Sequence, residues 1–374
     1  MRILHILPRM FLGCGTSTSV FSAIEAMKEK GHNLYLMSSF IDEYYKNKLS
    51  KLGISYSLAP LSQYRKNIIS FLKSILYIKV VILREKIEIV HSHHRWNCLI
   101  GTICAKLTHI KSITSDHVIL YGKKYLSFWA DGIITDSNYN KKHLVEYFHI
   151  PENKIEIVYP LIERERYGKL IDSSFKINNA MNEFDKFKTE NTLLVGQMAR
   201  LSAEKGQIYF LEVIKEVLKD FNNVKFLFLG EGNLKHALIE KAKDMMLAEN
   251  VYFLGLKKNI YSFLAVLDIF VISSKIEGFC ISASEAILAG IPIIATKTGG
   301  LPEQIIDGET GFLIEYGDKK SLRDRLLLLL CNKELRKRMG ERGRQYLLKK
   351  YSYEKIAENL EEKYNFFLKD IKIE

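Results

Sequence analysis

The feature that most constrains the fold is an alternation that runs along the chain twice. Short, apolar, β-rich runs are each followed by a longer stretch with helical periodicity. "RILHIL" (2–7) comes first, then Gly13 and Gly15, then "TSTSVFSAIEAMKEKG", which reads as a helix with Ser/Thr cap candidates and a stop at Gly31. "NLYLMSS" (33–39), "IEIVHSH" (87–93), "SITSDHV" (112–118), "GIITDS" (132–137) and "KIEIVYP" (154–160) read as further strands. Residues 163–190 are polar and weakly periodic and read as a domain junction. The alternation restarts at "TLLVGQMAR" (192–200) and continues through "VKFLFLG" (224–230), "VYFLG" (251–255), "IFVISS" (269–274) and "IPIIAT" (291–296), with a helical tail from 318. Such a pattern builds open parallel sheets with helices on both faces. The expected class is therefore α/β: two doubly wound, Rossmann-like domains with parallel sheets, and if the strand ends of the two sheets face each other a cleft forms between them. The expected boundaries are 1–165, 190–350, and a C-terminal helix, 351–374, placed to cross back to the first domain.

A chain of 374 residues suits two domains. Its 47% hydrophobic and 26% charged content is a globular balance. "MRILHILPRM" does not read as a signal peptide: the apolar run is short, Pro8 interrupts it, and no small-residue cleavage site follows. No stretch reaches the roughly 18 apolar residues of a membrane span. The five cysteines, Cys14, Cys98, Cys104, Cys280 and Cys331, are odd in number and scattered, which points to reduced thiols in a cytosol rather than a disulfide frame or a zinc site. The net charge of +12 is uneven, with +9 in residues 1–160 and +3 in the rest. Nucleic acid, an anionic membrane surface or a phosphorylated ligand would each suit a basic first half, as would a simply Lys-rich surface.

The polar residues that could carry chemistry lie just after the strands: Gly13, His93, His117, Arg200, Gly230 and Glu277. That is where doubly wound sheets bind ligands. Arg200 and Lys205, in "GQMARLSAEKGQ", place two cations in a strand-to-helix loop, a pairing that suits a diphosphate. In "SSKIEGFCISASEAILAG" the loop holds Glu277 and Gly278, and a helix starting near Ile281 carries Glu285. The first amides of that helix, at Phe279, Cys280 and Ile281, would face an anion. A buried carboxylate needs compensation, so two acids beside an anion site ask for hydroxyl donors such as those of a sugar or ribose. Taken alone, a capping acid and a surface helix acid explain the pair better. "TKTGGLPEQ" reads as structural.

"GCG" (13–15) fails the dinucleotide fingerprint because Thr18 stands where its last glycine should be, so no redox cofactor is expected. "HSHH" (91–94) places His91 and His93 on one strand face with His94 opposite, but lacks an adjacent carboxylate or cysteine, so no metal is assigned.

Taken in order, these elements resemble glycosyltransferase family 4, with the GT-B fold. Glu277 and Glu285 match its E-x7-E element, Arg200 and Lys205 its Arg…Lys-Gly element. "GEG" (230–232), "VYFLG", "GETGFL" and "ADGIITDSNYNKKHL" match lesser landmarks. The resemblance implies that Arg200 and Lys205 hold the donor diphosphate, and that Glu285 binds ribose hydroxyls and Glu277 sugar hydroxyls. The amides of Phe279, Cys280 and Ile281 would lie at the phosphates and donor sugar, His117 beside that sugar, and Gly13 and Gly15 in a flexible loop. It also implies an acceptor-binding first domain, a nucleotide-sugar-binding second domain, retention of anomeric configuration, and neither metal nor cofactor, the nucleotide-sugar being a substrate. The sequence departs from the family at Cys14, which separates the two glycines, and at Leu161-Ile162, where Asn-Gly is common.

The expectation is a retaining hexosyltransferase using a UDP-sugar, or else a GDP-sugar, and acting on a glycan or lipid-linked acceptor in surface polysaccharide or lipopolysaccharide synthesis. It would be cytoplasmic, with peripheral contact to an anionic membrane through residues 64–86, where apolar and basic residues mix at helical spacing; a part-buried helix with a solvated Lys/Arg face is the alternative there. Other readings are an epimerase of the same fold, a catalytically inactive partner subunit, and a basic nucleic-acid-binding protein; the last lacks any aromatic-basic motif, so nucleic acid is not expected as a partner.

Overall fold

The computed structural model describes residues 1–61, 68–117, 122, 130–172, 174, 183–189 and 191–369. The chain divides into two compact units: Met1–Arg164 together with the segment from Tyr353 onward, and Glu165–Ser352.

Among the described residues the first unit holds seven parallel strands: β1 (Arg2–Leu7), β2 (Asn33–Ser38), β3 (Ser55–Leu58), β4 (Ile89–His93), β5 (Lys111–Asp116), β6 (Gly132–Thr135) and β7 (Ile155–Ile157). Their order is β3-β2-β1-β4-β5-β6-β7, so the sheet reverses direction of growth between β1 and β4. The central strands are covered on both faces and accordingly read as near-continuous apolar runs. Leu4, Ile6, Met37 and Val90 pack with Ile78, Val81 and Ile100 from the covering helices. β3 is not apparent in the sequence because it is an edge strand with mostly exposed residues. β5 ends at Asp116, and Val118, read as part of that strand, lies outside the described residues.

The helix Tyr353–Lys369 belongs to this unit and buries Ile356, Leu360, Tyr364 and Phe367. A Cβ on Gly132 would stand 2.3 Å from the Phe367 ring, so the glycine that opens β6 makes room for it.

The helix Ile68–Arg84 has two apolar faces. Ile78, Val81 and Ile82 are buried, whereas Ile69, Leu72, Leu76, Val80 and Leu83 are each at least half exposed. Lys73 and Arg84 are exposed as well, so this is a part-buried helix whose solvated side mixes apolar and basic residues, with Lys86 just beyond its end. Residues 64–67 of that stretch lie outside the described residues.

The second unit holds β8 (Leu193–Met198), β9 (Val224–Leu229), β10 (Val251–Gly255), β11 (Ile269–Ile272), β12 (Ile293–Thr296) and β13 (Phe312–Ile314). The order β10-β9-β8-β11-β12-β13 puts its reversal between β8 and β11. Val195, Phe226, Phe228 and Val271 meet Phe210, Ile214, Leu322 and Leu326 in its core. The unit starts at Glu165 rather than near 190. It thus takes in nearly all of the helix Arg164–Ile171, which lies inside the stretch read as a junction and buries Arg166, Tyr167 and Leu170. Among the described residues no helix is long and apolar enough to cross a membrane.

Candidate functional site

β8 and β11 are hydrogen-bonded neighbours on either side of the reversal, and the loops at the carboxyl ends of strands at such a point are where doubly wound sheets bind ligands. Arg200 and Lys205 are in the first loop, Glu277 and Gly278 in the second. The loops touch at Gly206. It has φ +68°, and a Cβ there would lie 1.9 Å from the Ser273 carbonyl oxygen. Only glycine meets both conditions. Around it, Gln197 Nε2 donates to Ser273 Oγ at 2.9 Å, Ser273 Oγ donates to the Lys205 carbonyl at 3.1 Å, and Lys275 N donates to the Glu204 carbonyl at 2.8 Å.

This seam fixes Lys205 against the second loop. Its Nζ donates to Glu277 Oε1 at 2.7 Å, and the same oxygen accepts from Ser274 Oγ at 2.6 Å. Glu277 is only 7% exposed. Burial pulls the Lys205 ammonium down, but the charge of Glu277 and the hydrogen bond to it outweigh burial and hold it above the usual lysine value. Lys205 is therefore a fixed cation. Arg200 is exposed and pairs with Glu204 at 2.5 Å; its carbonyl accepts from Gln207 Nε2 at 2.9 Å.

Glu285 lies in the helix Ile281–Leu288 and is 2% exposed. Its Oε1 accepts from Arg166 Nη1 at 2.6 Å, and Arg166 is itself buried. Beside any hydroxyl donors of a ligand, each acid has a cation within the protein, Lys205 for Glu277 and Arg166 for Glu285. Arg166 carries no local signal in the sequence. Burial of Glu285 would have demanded a cation, but nothing local singles out one arginine of "ERERYG", 119 positions away.

Ahead of the Glu285 helix, Cys280 takes a left-handed conformation, φ +69° and ψ 78°. The first-turn amides have no carbonyl of their own helix to reach. The loop is held from behind. Gly299, φ +56°, brings its backbone so close that a Cβ would lie 2.2 Å from the Glu277 carbonyl oxygen, and Gly300 N donates to the Gly278 carbonyl at 2.6 Å. "TKTGG" is thus backbone support. Gln304 Nε2 donates to the Phe279 carbonyl, and the buried Phe279 ring packs edge-on to Tyr351 at 5.5 Å. Burial, followed by the nearby Glu277 charge, pushes the Cys280 thiol up to about 12, so it stays a neutral thiol. A fixed ammonium, an exposed guanidinium and a helix N-terminus thus lie in neighbouring loops, each cation beside a carboxylate, and these are group types that suit a multiply charged anion.

In the first unit, Gly13 has φ +83°, while Gly15 is the first residue of the helix Gly15–Glu29, so only the former is in a loop. His117 follows β5 directly and its Nε2 is 3.1 Å from His93 Nδ1. His93 Nε2 is in turn 3.0 Å from Nδ1 of His5, a fully buried histidine in β1. Nothing within "RILHIL" singles out His5; the register that sets it opposite His91 does. His91 bonds Tyr364 Oη at 2.6 Å and Ser115 Oγ at 2.7 Å. His94 is not a strand residue facing the other way, since β4 ends at His93 and His94 caps the next helix with φ +76°. Burial pulls His5 down to about 3, His117 to about 4, and His91 and His93 well below the usual value, so all four are neutral at pH 7. His5, His91 and His93 offer ring nitrogens within 4.8 Å of one another, a set with metal-binding potential.

Two family models match the chain: Glycosyltransferase Family 4 over residues 14–166 and Glycosyl transferases group 1 over 179–346. N-acetyl-alpha-D-glucosaminyl L-malate synthase of Bacillus anthracis is 26% identical over 306 residues, 77% of either chain. The capsular polysaccharide biosynthesis glycosyltransferase CapM of Staphylococcus aureus is 27% identical over 379 residues, 93% of either chain. The structure of Anabaena HepE, solved with UDP and glucose, superposes with a TM-score of 0.83 at 16% identity, covering 97% of this chain and 99% of that one. With its two Rossmann-like units matched in this way, the chain belongs to glycosyltransferase family 4 and is a glycosyltransferase of the GT-B type.

Proposed function

We propose that the protein is a retaining, metal-independent transferase. It moves a sugar from a nucleotide-diphosphate sugar, UDP-sugars first, to a glycan or lipid-linked acceptor of a bacterial surface polysaccharide, lipopolysaccharide included. The observation that carries this reading is the Lys205–Glu277 bond, which pins a cation and a carboxylate from two adjoining loops beside the Glu285 helix. Lys205 and Arg200 bind the diphosphate and stabilise the charge that grows on it as the glycosidic bond breaks, with the amides of Phe279, Cys280 and Ile281 adding to that field. Glu277 accepts from sugar hydroxyls and Glu285 from the ribose. Gly278 lets the backbone approach the ligand. In the first unit, Gly13, Gly15 and His117 serve the donor sugar. The curated relatives support this direction: one acts in capsular polysaccharide biosynthesis, and the Anabaena structure holds UDP and glucose.

A thermal-shift screen with UDP- and GDP-sugars tests the reading. A clear rise in melting temperature with one sugar nucleotide, larger than with the free sugar, is expected, followed by an α-linked product from an α-linked donor. No shift with any nucleotide or sugar nucleotide would defeat it.

The exposed apolar stripe on the helix Ile68–Arg84, bordered by Lys73, Arg84 and Lys86, supports peripheral contact with an anionic membrane at its cytoplasmic face. The protein is expected to float with phosphatidylglycerol vesicles and not with phosphatidylcholine ones. Leu72→Glu/Leu76→Glu should abolish flotation and leave the melting temperature within a degree or two, because neither side chain is in the core. Absence of binding to either vesicle would end this proposal.

A further inference from the structure

His5, His93 and His117 form a single file of imidazoles. Their contacts run His5 Nδ1 to His93 Nε2, 3.0 Å, and His93 Nδ1 to His117 Nε2, 3.1 Å. The rings lie nearly parallel, 4° apart for the first pair and 21° for the second. Each imidazole is neutral, because burial disfavours the cation. A neutral imidazole has one N–H and one lone pair. Three of them in file can therefore be arranged in only two ways that make both hydrogen bonds: every proton points towards His117, or every proton points towards His5.

The inner end of the file decides between the two. His5 Nε2 is buried and meets no hydrogen-bond partner among the described residues. If the protons pointed inward, that atom would be a buried, unanswered N–H; if outward, a bare lone pair. Among backbone groups, orphaned buried donors are rarer than under-satisfied acceptors, and we carry the same order over to the imidazole. The outward arrangement also leaves His117 Nδ1 protonated. No hydrogen bond to this atom occurs among the described residues, and His117 lines a small pocket that is mostly apolar (Ile134, Val158, Leu161) with Ser19, Ser115 and Tyr159 at its polar positions.

We infer that His5 and His93 are positioning residues that hold His117 as its Nδ1–H tautomer. His117 then meets its ligand as a hydrogen-bond donor to an oxygen, a sugar hydroxyl or a phosphate oxygen, and does not act as a base. The identity of that ligand rests on the glycosyl-transfer reading; the tautomer does not. His91 is outside the file, because both of its nitrogens are taken by Tyr364 and Ser115.

The experiment is a long-range ¹H–¹⁵N correlation spectrum of the full-length protein labelled with ¹⁵N-histidine. His117→Gln assigns the resonance by its disappearance. In the wild-type spectrum His117 is expected to show a protonated-type shift at Nδ1 and a pyridine-type shift at Nε2 at pH 7.5. In His93→Phe, which removes the partner at Nε2 but keeps a ring in place, the His117 signals should move towards a mixture of tautomers. A wild-type His117 protonated at Nε2 overturns the inference whether or not the variant folds. So does stoichiometric zinc in the purified protein, since a metal on His5, His91 and His93 would take the lone pairs that the file uses. Donor binding measured by calorimetry on the same samples is a separate readout: if it is absent while the tautomer is as expected, the glycosyl-transfer reading fails and this one stands.

Discussion

Lys205→Ala is expected to lower kcat at saturating sugar nucleotide by about 10²–10³-fold, the usual loss when one fixed electrostatic partner of a developing negative charge is removed. The effect should fall on kcat because the diphosphate gains charge only as the glycosidic bond breaks. The variant also removes a buried ion pair. With Lys205 gone, Glu277 keeps Ser274 but loses its cation, and breaking such a pair costs about 3–5 kcal/mol. The assay therefore belongs well below the variant's own melting temperature, with folding checked by circular dichroism. Arg200→Ala should slow turnover with little change in stability, because Arg200 is exposed and its pairing with Glu204 is a surface one. A folded Lys205→Ala enzyme with wild-type kcat would remove Lys205 from the leaving-group role.

The pH behaviour follows from the same pair. A lysine whose folded value is raised contributes stability that is complete below the ordinary lysine value and fades only as pH climbs through the raised one. Across the neutral range Lys205 therefore stays charged, and an alkaline limb in kcat below the lysine range would have to come from another group.

Much of this site was legible in the sequence because its residues follow strands. Once β8 and β11 were recognised as apolar runs, Arg200, Lys205 and Glu277 fell at their carboxyl ends, and eight residues of separation put Glu285 inside the following helix. The partners of those residues were not legible. Arg166 reaches Glu285 from a helix whose polar sequence carries no apolar stripe long enough to betray it, and the pairing is set by tertiary packing alone. His5 was hidden for a different reason. In a strand buried on both faces a histidine stands among isoleucines and leucines, and its meaning appears only when β1 is registered against β4. The two-sided helix Ile68–Arg84 showed its mixture of apolar and basic residues in the sequence, but which apolar positions are left outside depends on what the sheet covers. Local periodicity reports elements and loop ends; pairings across many tens of residues are decided by topology.

The Arg166–Glu285 pair yields the second large effect. Arg166→Met and Glu285→Ala should each destabilise the protein by about 3–5 kcal/mol, since either leaves a buried charge without its main partner. The double variant should be less damaged than the two losses added together, because the second substitution removes the charge that the first exposed. Chemical denaturation of the four proteins measures this coupling. Additive losses would mean that the pair contributes nothing as a pair. The same set separates structure from recognition. If Glu285 also accepts from the ribose, Glu285→Ala must weaken sugar-nucleotide binding more than Arg166→Met does, even though both disturb the same pair. At a temperature where both remain folded, a tenfold or greater excess loss of affinity in Glu285→Ala is expected, corresponding to about 1.4 kcal/mol. Equal affinities in the two variants would leave Glu285 as a structural anion that holds the helix Arg164–Ile171 in place, and the ribose contact would then have to be sought elsewhere in the loops after β8 and β11.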